Sequence, residues 1–220
     1  MADLIGRQLG SYLLTSFIGD GGFAEVYLGK HIHLGSPAAI KVLNSELVDE
    51  QVKRFHDEAQ AIVLLRHPNI VRLLEFGIIE NENRPFLILE YAPNGTLRQR
   101  HLISSRLDLP TIAGYVKQIA SALEYIHQQK SPLIHLDLKP ENLLLGSNNE
   151  VLLSDFGIAM SLQQKTHMTA GKFVGTAAYA APEQFDEDRG AYWSGQRSIR
   201  AGSAGLRVAG GRSTLPGRGP

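Results

Sequence analysis

Nine consecutive residues constrain the fold of this chain most: Ile134 to Asn142, read Ile-His-Leu-Asp-Leu-Lys-Pro-Glu-Asn. Asp155-Phe156-Gly157 begins 13 residues after Asn142. Pro140 and the density of polar groups predict a loop over 134–142, not a helix. The pattern sets two carboxylates, one ammonium and one carboxamide on neighbouring loops. Such a set suits phosphoryl transfer: a base for a hydroxyl, a cation for the γ-phosphate, and two oxygen ligands for Mg²⁺. Singly, each residue has an ordinary alternative as a turn aspartate, a surface lysine or an Asx turn. The joint order carries the reading.

The preceding segments supply what such chemistry needs. Tyr12 to Ile18 reads as a strand that breaks at Gly19-Asp20-Gly21-Gly22 and resumes at Val26-Tyr27-Leu28. A glycine-rich turn lets backbone amides approach phosphates; the alternative is a flexible hairpin turn. A dinucleotide-binding fold would need a helix after the glycines, whereas Phe23 to Gly29 reads as strand. Ala38 to Val42 is a short buried strand carrying Lys41. A buried ammonium needs an anionic partner, and the candidate is Glu58, which alone would read as a solvated helix residue. Its helix is expected from about Asp49 to Arg66, with Phe55, Ala59, Ile62, Val63 and Leu65 on the apolar face. His67-Pro68-Asn69-Ile70-Val71 ends it, because a residue before proline avoids the α region. Leu73 to Ile79 and Phe86 to Tyr91 read as paired strands. Leu109 to Gln128 is the clearest helix, with Ile112, Val116, Ile119, Ala120, Leu123 and Ile126 as its apolar stripe.

Over Leu9 to about Phe185 these residues resemble the protein kinase superfamily. The resemblance implies an α+β, bilobal, protein-kinase-like fold: a β-rich N-lobe over 9–91 and an incomplete helical C-lobe over 92–185. It implies ATP and Mg²⁺ as cofactors and a protein substrate with a serine or threonine acceptor. Asp137 is then the general base and Lys139 the stabiliser of the transferring group, with Lys41 and Glu58 completing the catalytic set. Ile18, Gly19, Asp20, Gly21, Gly22, Phe23, Val26, Ala39, Lys41, Glu90, Ala92 and Leu144 would hold the nucleotide. Phe23 would cap the phosphates, and Val26 and Leu144 would pack on the adenine. The Glu90 carbonyl and Ala92 backbone would meet the adenine edge, with Leu89 as gatekeeper. Asn142 and Asp155 would hold the metal.

Lys139 in Asp-x-Lys-Pro-Glu-Asn, with Gly175-Thr176, is similar to serine/threonine kinases rather than tyrosine kinases. Ala181-Pro182-Glu183 would close the activation segment. Gln184 and Gly21-Gly22-Phe23-Ala24 resemble bacterial members. Ser161, Thr166 and Thr169 read as loop hydroxyls or as autophosphorylation sites. The chain departs from the family pattern at Ala24, a third glycine elsewhere; at Leu136, an arginine elsewhere that pairs with a phosphorylated loop; and at Ala177, a proline elsewhere.

Composition bounds the remaining classes. A formal net charge of zero points away from nucleic acid and membrane surfaces. With no cysteine, disulfides and thiolate metal sites are excluded. No run reaches the roughly 20 apolar residues of a membrane span, and residues 1–7 lack a leader's apolar core, so the expected location is cytoplasmic. Residues 186–220 hold six Arg, no Lys and eight Gly, a composition expected to be disordered. Read one base out of frame with suitable codons, Gln196 to Arg200 gives Ser-Asp-Gln-Tyr and Leu206 to Gly211 gives Tyr-Glu-Trp-Leu-Ala-Gly. Arg212 to Pro216 can end in Pro-Pro-Phe-Gln. These are motifs the resemblance expects of further kinase helices, and they suggest a one-base frameshift between Asp186 and Gln196. The alternative function is then an inactive fragment that at most binds nucleotide or acts through protein contacts.

Overall fold

The computed structural model describes residues 4–21, 24–44, 46–103, 107–130, 132–135, 137–156 and 179, with the side chains of 101–103 left aside. Gly22, Phe23, Leu136, Ser161, Thr166, Thr169, Gly175, Thr176, Ala177, the Ala181-Pro182-Glu183-Gln184 run and the tail 186–220 lie outside these residues.

Six strands form the upper sheet: β1 (Gln8–Leu9), β2 (Tyr12–Gly21), β3 (Ala24–His31), β4 (Pro37–Leu43), β5 (Leu73–Ile79) and β6 (Arg84–Glu90). Their spatial order is β1-β2-β3-β4-β6-β5, antiparallel throughout. Side chains on a strand alternate between the faces, and β4 shows the result. Ala38, Ile40 and Val42 are fully buried, whereas Ala39 and Lys41 between them are half-buried. The buried set packs with Leu9, Tyr12, Leu14, Tyr27, Phe86 and Ile88 into a cluster on one face. The opposite face carries Lys41.

β2 does not break at Gly19 as the sequence reading expects. It stays paired with β3 to the Gly21–Ala24 register, with irregularities between Leu14 and Ser16 and between Phe17 and Gly19. Bulges of this kind absorb the extra residues without ending the ladder.

α1 (Asp49–Val63) follows β4. The Val48 N–H donates to Oε1 of Gln51 at its start, and Asp49 and Glu50 lie in its first turn, where the helix dipole favours anions. Phe55, Ala59, Ile62 and Leu65 are buried. The helix stops three residues before the expected Arg66. Arg66 instead donates through its backbone N–H to the Tyr125 hydroxyl at 3.0 Å and through its side chain to the Val63 carbonyl.

Below the sheet, α2 (Leu97–Ile103) leads to α3 (Leu109–His127). Asp108 caps α3 by accepting from the Thr111 N–H at 2.9 Å. The buried stripe of α3 is Tyr115, Ile119, Ala122, Leu123 and Ile126, so it is rotated from the expected one. Val116 is 40% exposed and Ala120 is exposed. A single 3₁₀ turn (Pro140–Asn142) sits inside the segment expected to be wholly loop. β7 (Leu143–Leu145) and β8 (Val151–Leu153) then form a two-stranded ladder. One core joins both levels: Phe55 and Ala59 of α1 share a cluster with Ile119 and Ile126 of α3 and with Leu143 and Leu153.

Candidate active site

Strand register builds the roof of the site. Val26 faces Lys41 across β3 and β4, and Lys41 faces Leu87 across β4 and β6; Leu28, Ala39 and Leu89 form the next row. Directly opposed residues share a face, so Val26, Ala39, Lys41 and Leu89 line one side of the sheet. Gly19 lies opposite Val26, Asp20 opposite Glu25 and Gly21 opposite Ala24. Ile18 stands at the irregularity between Phe17 and Gly19 and is 48% exposed. Among the described residues, no atom lies within 4 Å of where a Gly19 Cβ would sit, so that edge is open.

The segment after β6 connects roof to floor. Glu90 ends β6 and donates its N–H to the Arg72 carbonyl at 2.9 Å. Beyond half-buried Ala92, Asn94 donates through its N–H to the Leu145 carbonyl at 3.2 Å and through its side chain to the Gly146 carbonyl at 2.7 Å. Thr96 bridges Leu144. Half-buried Leu144 is thereby tied beneath the strand connection, while its neighbours Leu143 and Leu145 are fully buried.

Asp137, Lys139 and Asn142 converge tightly. The Lys139 ammonium lies 2.7 Å from Asp137 Oδ2. Asn142 Nδ2 donates to the same Oδ2 at 3.0 Å and to the Asp137 carbonyl at 2.8 Å. Both contacts fall on one carboxylate oxygen, Oδ2, so among the described residues Oδ1 is the oxygen left to meet another group. The Asn142 amide nitrogen is committed to Asp137, which leaves its oxygen as the atom a cation would meet.

Asp155 meets Lys41, whose Nζ donates to Oδ1 at 2.5 Å. The sequence reading pairs Lys41 with Glu58, which stands half-buried on α1; Asp155 provides a carboxylate at Lys41. Burial pushes the Asp155 carboxyl up. The charge and hydrogen bond of Lys41, aided by His135 and Lys139, outweigh burial and hold the carboxyl below its ordinary range. The influence of Lys139 places both clusters in one electrostatic site.

Two further residues, which sequence reasoning gave no role, lock the loops together. Buried His135 places Nε2 2.6 Å from the Ser154 carbonyl. Ser154 donates through its N–H at 2.9 Å and its hydroxyl at 3.0 Å to the Asn142 carbonyl. Their signal was present: a histidine inside the apolar run before Asp137, and a serine directly before Asp155. His135 also stacks at an angle on Phe156, with ring centroids 5.3 Å apart.

The site gathers an amide oxygen, two carboxylates and two ammoniums. It fits a hard divalent cation bound with phosphate groups, since Mg²⁺ takes oxygen ligands and few of them from protein. A β-rich lobe bearing a lysine, set over a helical lobe bearing this Asp-Lys-Asn-Asp network, defines the bilobal protein-kinase-like fold. The comparisons agree. The protein kinase domain family matches residues 12–195, and the chain belongs to that family. Serine/threonine-protein kinase Pkn1 of Myxococcus xanthus is 37% identical over 188 residues, covering 82% of this chain and 26% of that protein. Serine/threonine-protein kinase PrkC of Bacillus subtilis (strain 168) is 33% identical over 184 residues, covering 82% of this chain and 28% of that protein. The crystal structure of the Mycobacterium tuberculosis PknI kinase domain superposes with a TM-score of 0.73 at 25% identity, covering 94% of this chain and 77% of that one. The chain thus spans about a quarter of the length of these two curated relatives. Among the described residues, no helix is long and apolar enough to cross a membrane.

Proposed function

We propose that the chain transfers the γ-phosphate of ATP to serine or threonine hydroxyls of a protein. The observation that carries this reading is the connected network of Lys41, Asp155, Asn142, Asp137 and Lys139. Asp137 Oδ1 takes the proton of the acceptor hydroxyl as its oxygen bonds to phosphorus. The bond from phosphorus to the β–γ bridging oxygen breaks, and ADP leaves with that electron pair. Lys139 holds Asp137 in orientation through Oδ2 and offsets charge on the moving phosphoryl group. Lys41 reaches the phosphates from the roof, with Glu58 on α1 as the carboxylate that steadies it. Asn142 and Asp155 would hold Mg²⁺, which when bound would neutralise charge on the phosphate oxygens. Gly19 to Gly21 would cover the phosphates; the resemblance gives the same part to Gly22 and Phe23, which lie outside the described residues. Ile18, Val26, Ala39 and Leu144 sandwich the base, and the backbones of Glu90 and Ala92 meet its edge.

The test is incorporation of ³²P from γ-labelled ATP into a generic basic protein, with Asp137→Ala as control. Incorporation abolished by that change supports the reading. Stabilisation by Mg²⁺-ATP without incorporation would assign the chain to nucleotide binding alone, the alternative function for a fragment of the domain.

A further inference from the structure

Val151 opens β8, the strand that leads to Asp155, and side chains from two other elements take both of its backbone polar groups. Its N–H donates to Oε1 of Gln118 on α3 at 2.8 Å. Its carbonyl accepts from Nδ2 of Asn69 at 2.9 Å. The same Nδ2 donates to the same Oε1 at 2.9 Å, closing a triangle. Asn69 lies in the connection between α1 and β5. That connection adds itself to the ladder: the Leu153 N–H donates to the Asn69 carbonyl at 2.9 Å, and the Val71 N–H donates to the Leu153 carbonyl at 2.9 Å. Ile70 and Leu153 form a parallel bridge. β8 is therefore held by β7 on one side, by residues 69–71 on the other, and by α3 at its start. One oxygen, Gln118 Oε1, is shared by the helical lobe, the upper-lobe connection and the strand.

Only Ser154 separates that strand from Asp155. Ser154 is itself held through its N–H and hydroxyl by the Asn142 carbonyl, so a displacement of β8 is passed on to Asp155 through a tethered residue. We propose that Gln118 is a positioning residue that sets where Asp155 presents its carboxylate to the metal, an inference that rests on the kinase reading above. The acceptor oxygen is the working feature. Among the described residues, Gln118 Nε2 makes a single 3.3 Å contact, with the Gly114 carbonyl inside its own helix. Glutamate keeps the acceptor; methionine keeps the shape and loses it. Residues that orient metal ligands are typically worth 10- to 100-fold in metal affinity or activity.

The experiment compares the full chain with Gln118→Met and Gln118→Glu. Binding of a methylanthraniloyl-ATP probe is measured with Mg²⁺ and with EDTA, and the ratio of the two affinities is read. Gln118→Met should lower the Mg²⁺-dependent gain about tenfold or more while leaving metal-free affinity unchanged, and Gln118→Glu should restore the gain. Equal ratios in all three proteins overturn the proposal. So does an equal loss in both affinities, which marks a purely structural tie. If the wild-type chain binds no probe under either condition, the kinase reading fails by itself. Hydrogen exchange over 151–155 then decides the linkage: protection lost with Met and kept with Glu sustains it, and unchanged protection overturns it.

Discussion

Lys41 and Asp155 lie 114 residues apart and meet at 2.5 Å. The contact joins the roof strand β4 to the end of β8, and so brings into one place the ammonium and carboxylate proposed to meet phosphate and metal. Lys41→Met and Asp155→Asn should each abolish most of the stabilisation that Mg²⁺-ATP gives the wild-type chain. That stabilisation is about 2.7 kcal/mol at 100 times the dissociation constant. Thermal melts with and without Mg²⁺-ATP read it directly, and a full shift retained in Asp155→Asn would remove Asp155 from the metal site.

The same pair predicts an acid limb. The Asp155 carboxyl is held below its ordinary value in the folded chain. Its contribution to stability is therefore present above the unfolded value, near pH 3.9, and is lost as pH falls through the lower folded value. Denaturant titrations between about pH 2 and 4 should show a shallower loss of stability in Asp155→Asn than in wild type. Parallel curves would count against the pairing.

Asp137→Asn removes the proposed proton acceptor while keeping the shape that Lys139 and Asn142 pack against. The expected outcome is a fall in kcat of roughly 10²- to 10⁴-fold, with nucleotide affinity little changed. A drop confined to nucleotide affinity, seen by separating kcat from KM, would reassign the residue.

His67 joins the upper-lobe connection to α3 through a 3.1 Å contact with the Ser121 hydroxyl, and its ring lies 5.2 Å from that of Tyr125. Burial lowers its pKa, so the fold favours the neutral ring. Stability from this source is present above about pH 6.5 and declines as pH falls through the lower folded value, where only the unfolded chain readily takes the proton. His67→Gln should flatten the stability profile between about pH 5 and 7. A profile as steep as wild type there would mean that another group titrates.

Phe55 is fully buried on α1, in the cluster that also contains Ile119, Ile126 and Leu153. Phe55→Ala should cost about 3–5 kcal/mol, read as a shift in the urea midpoint. A loss below about 1 kcal/mol would mean that α1 is not part of a shared core.

Local regularities were legible in the sequence. α3 ends one residue short of the expected Gln128 because its Asp108 cap and apolar period are both local signals. Which face it buries was read less well. Val116 and Ala120 fit the period but point outward, while Tyr115 and Ala122 turn inward, because an apolar stripe fixes a helix's rotation only to within about a residue. The convergence of Asp137, Lys139 and Asn142 was foreseeable from spacing, since all three lie within six residues. The contact of Lys41 with Asp155 was not. Physical chemistry demands a carboxylate beside a buried ammonium, but a strand lysine can reach either a helix or a loop. Only the fold decides that Asp155 stands there. The contacts of Gln118 left no trace at all, because an amide on a helix reads as surface until the strand beside it is in place.

Asp155 adopts a φ of 60°, in the left-handed region. Few side chains accept that backbone readily: glycine without penalty, and asparagine, aspartate and histidine with some enrichment. Of these, aspartate alone carries a carboxylate. The position is thus filtered twice, once by torsion and once by charge, and the two filters overlap on one amino acid. Drift to glutamate would fail on backbone grounds even though its charge is right, and drift to glycine would leave a relaxed chain with nothing to offer a cation.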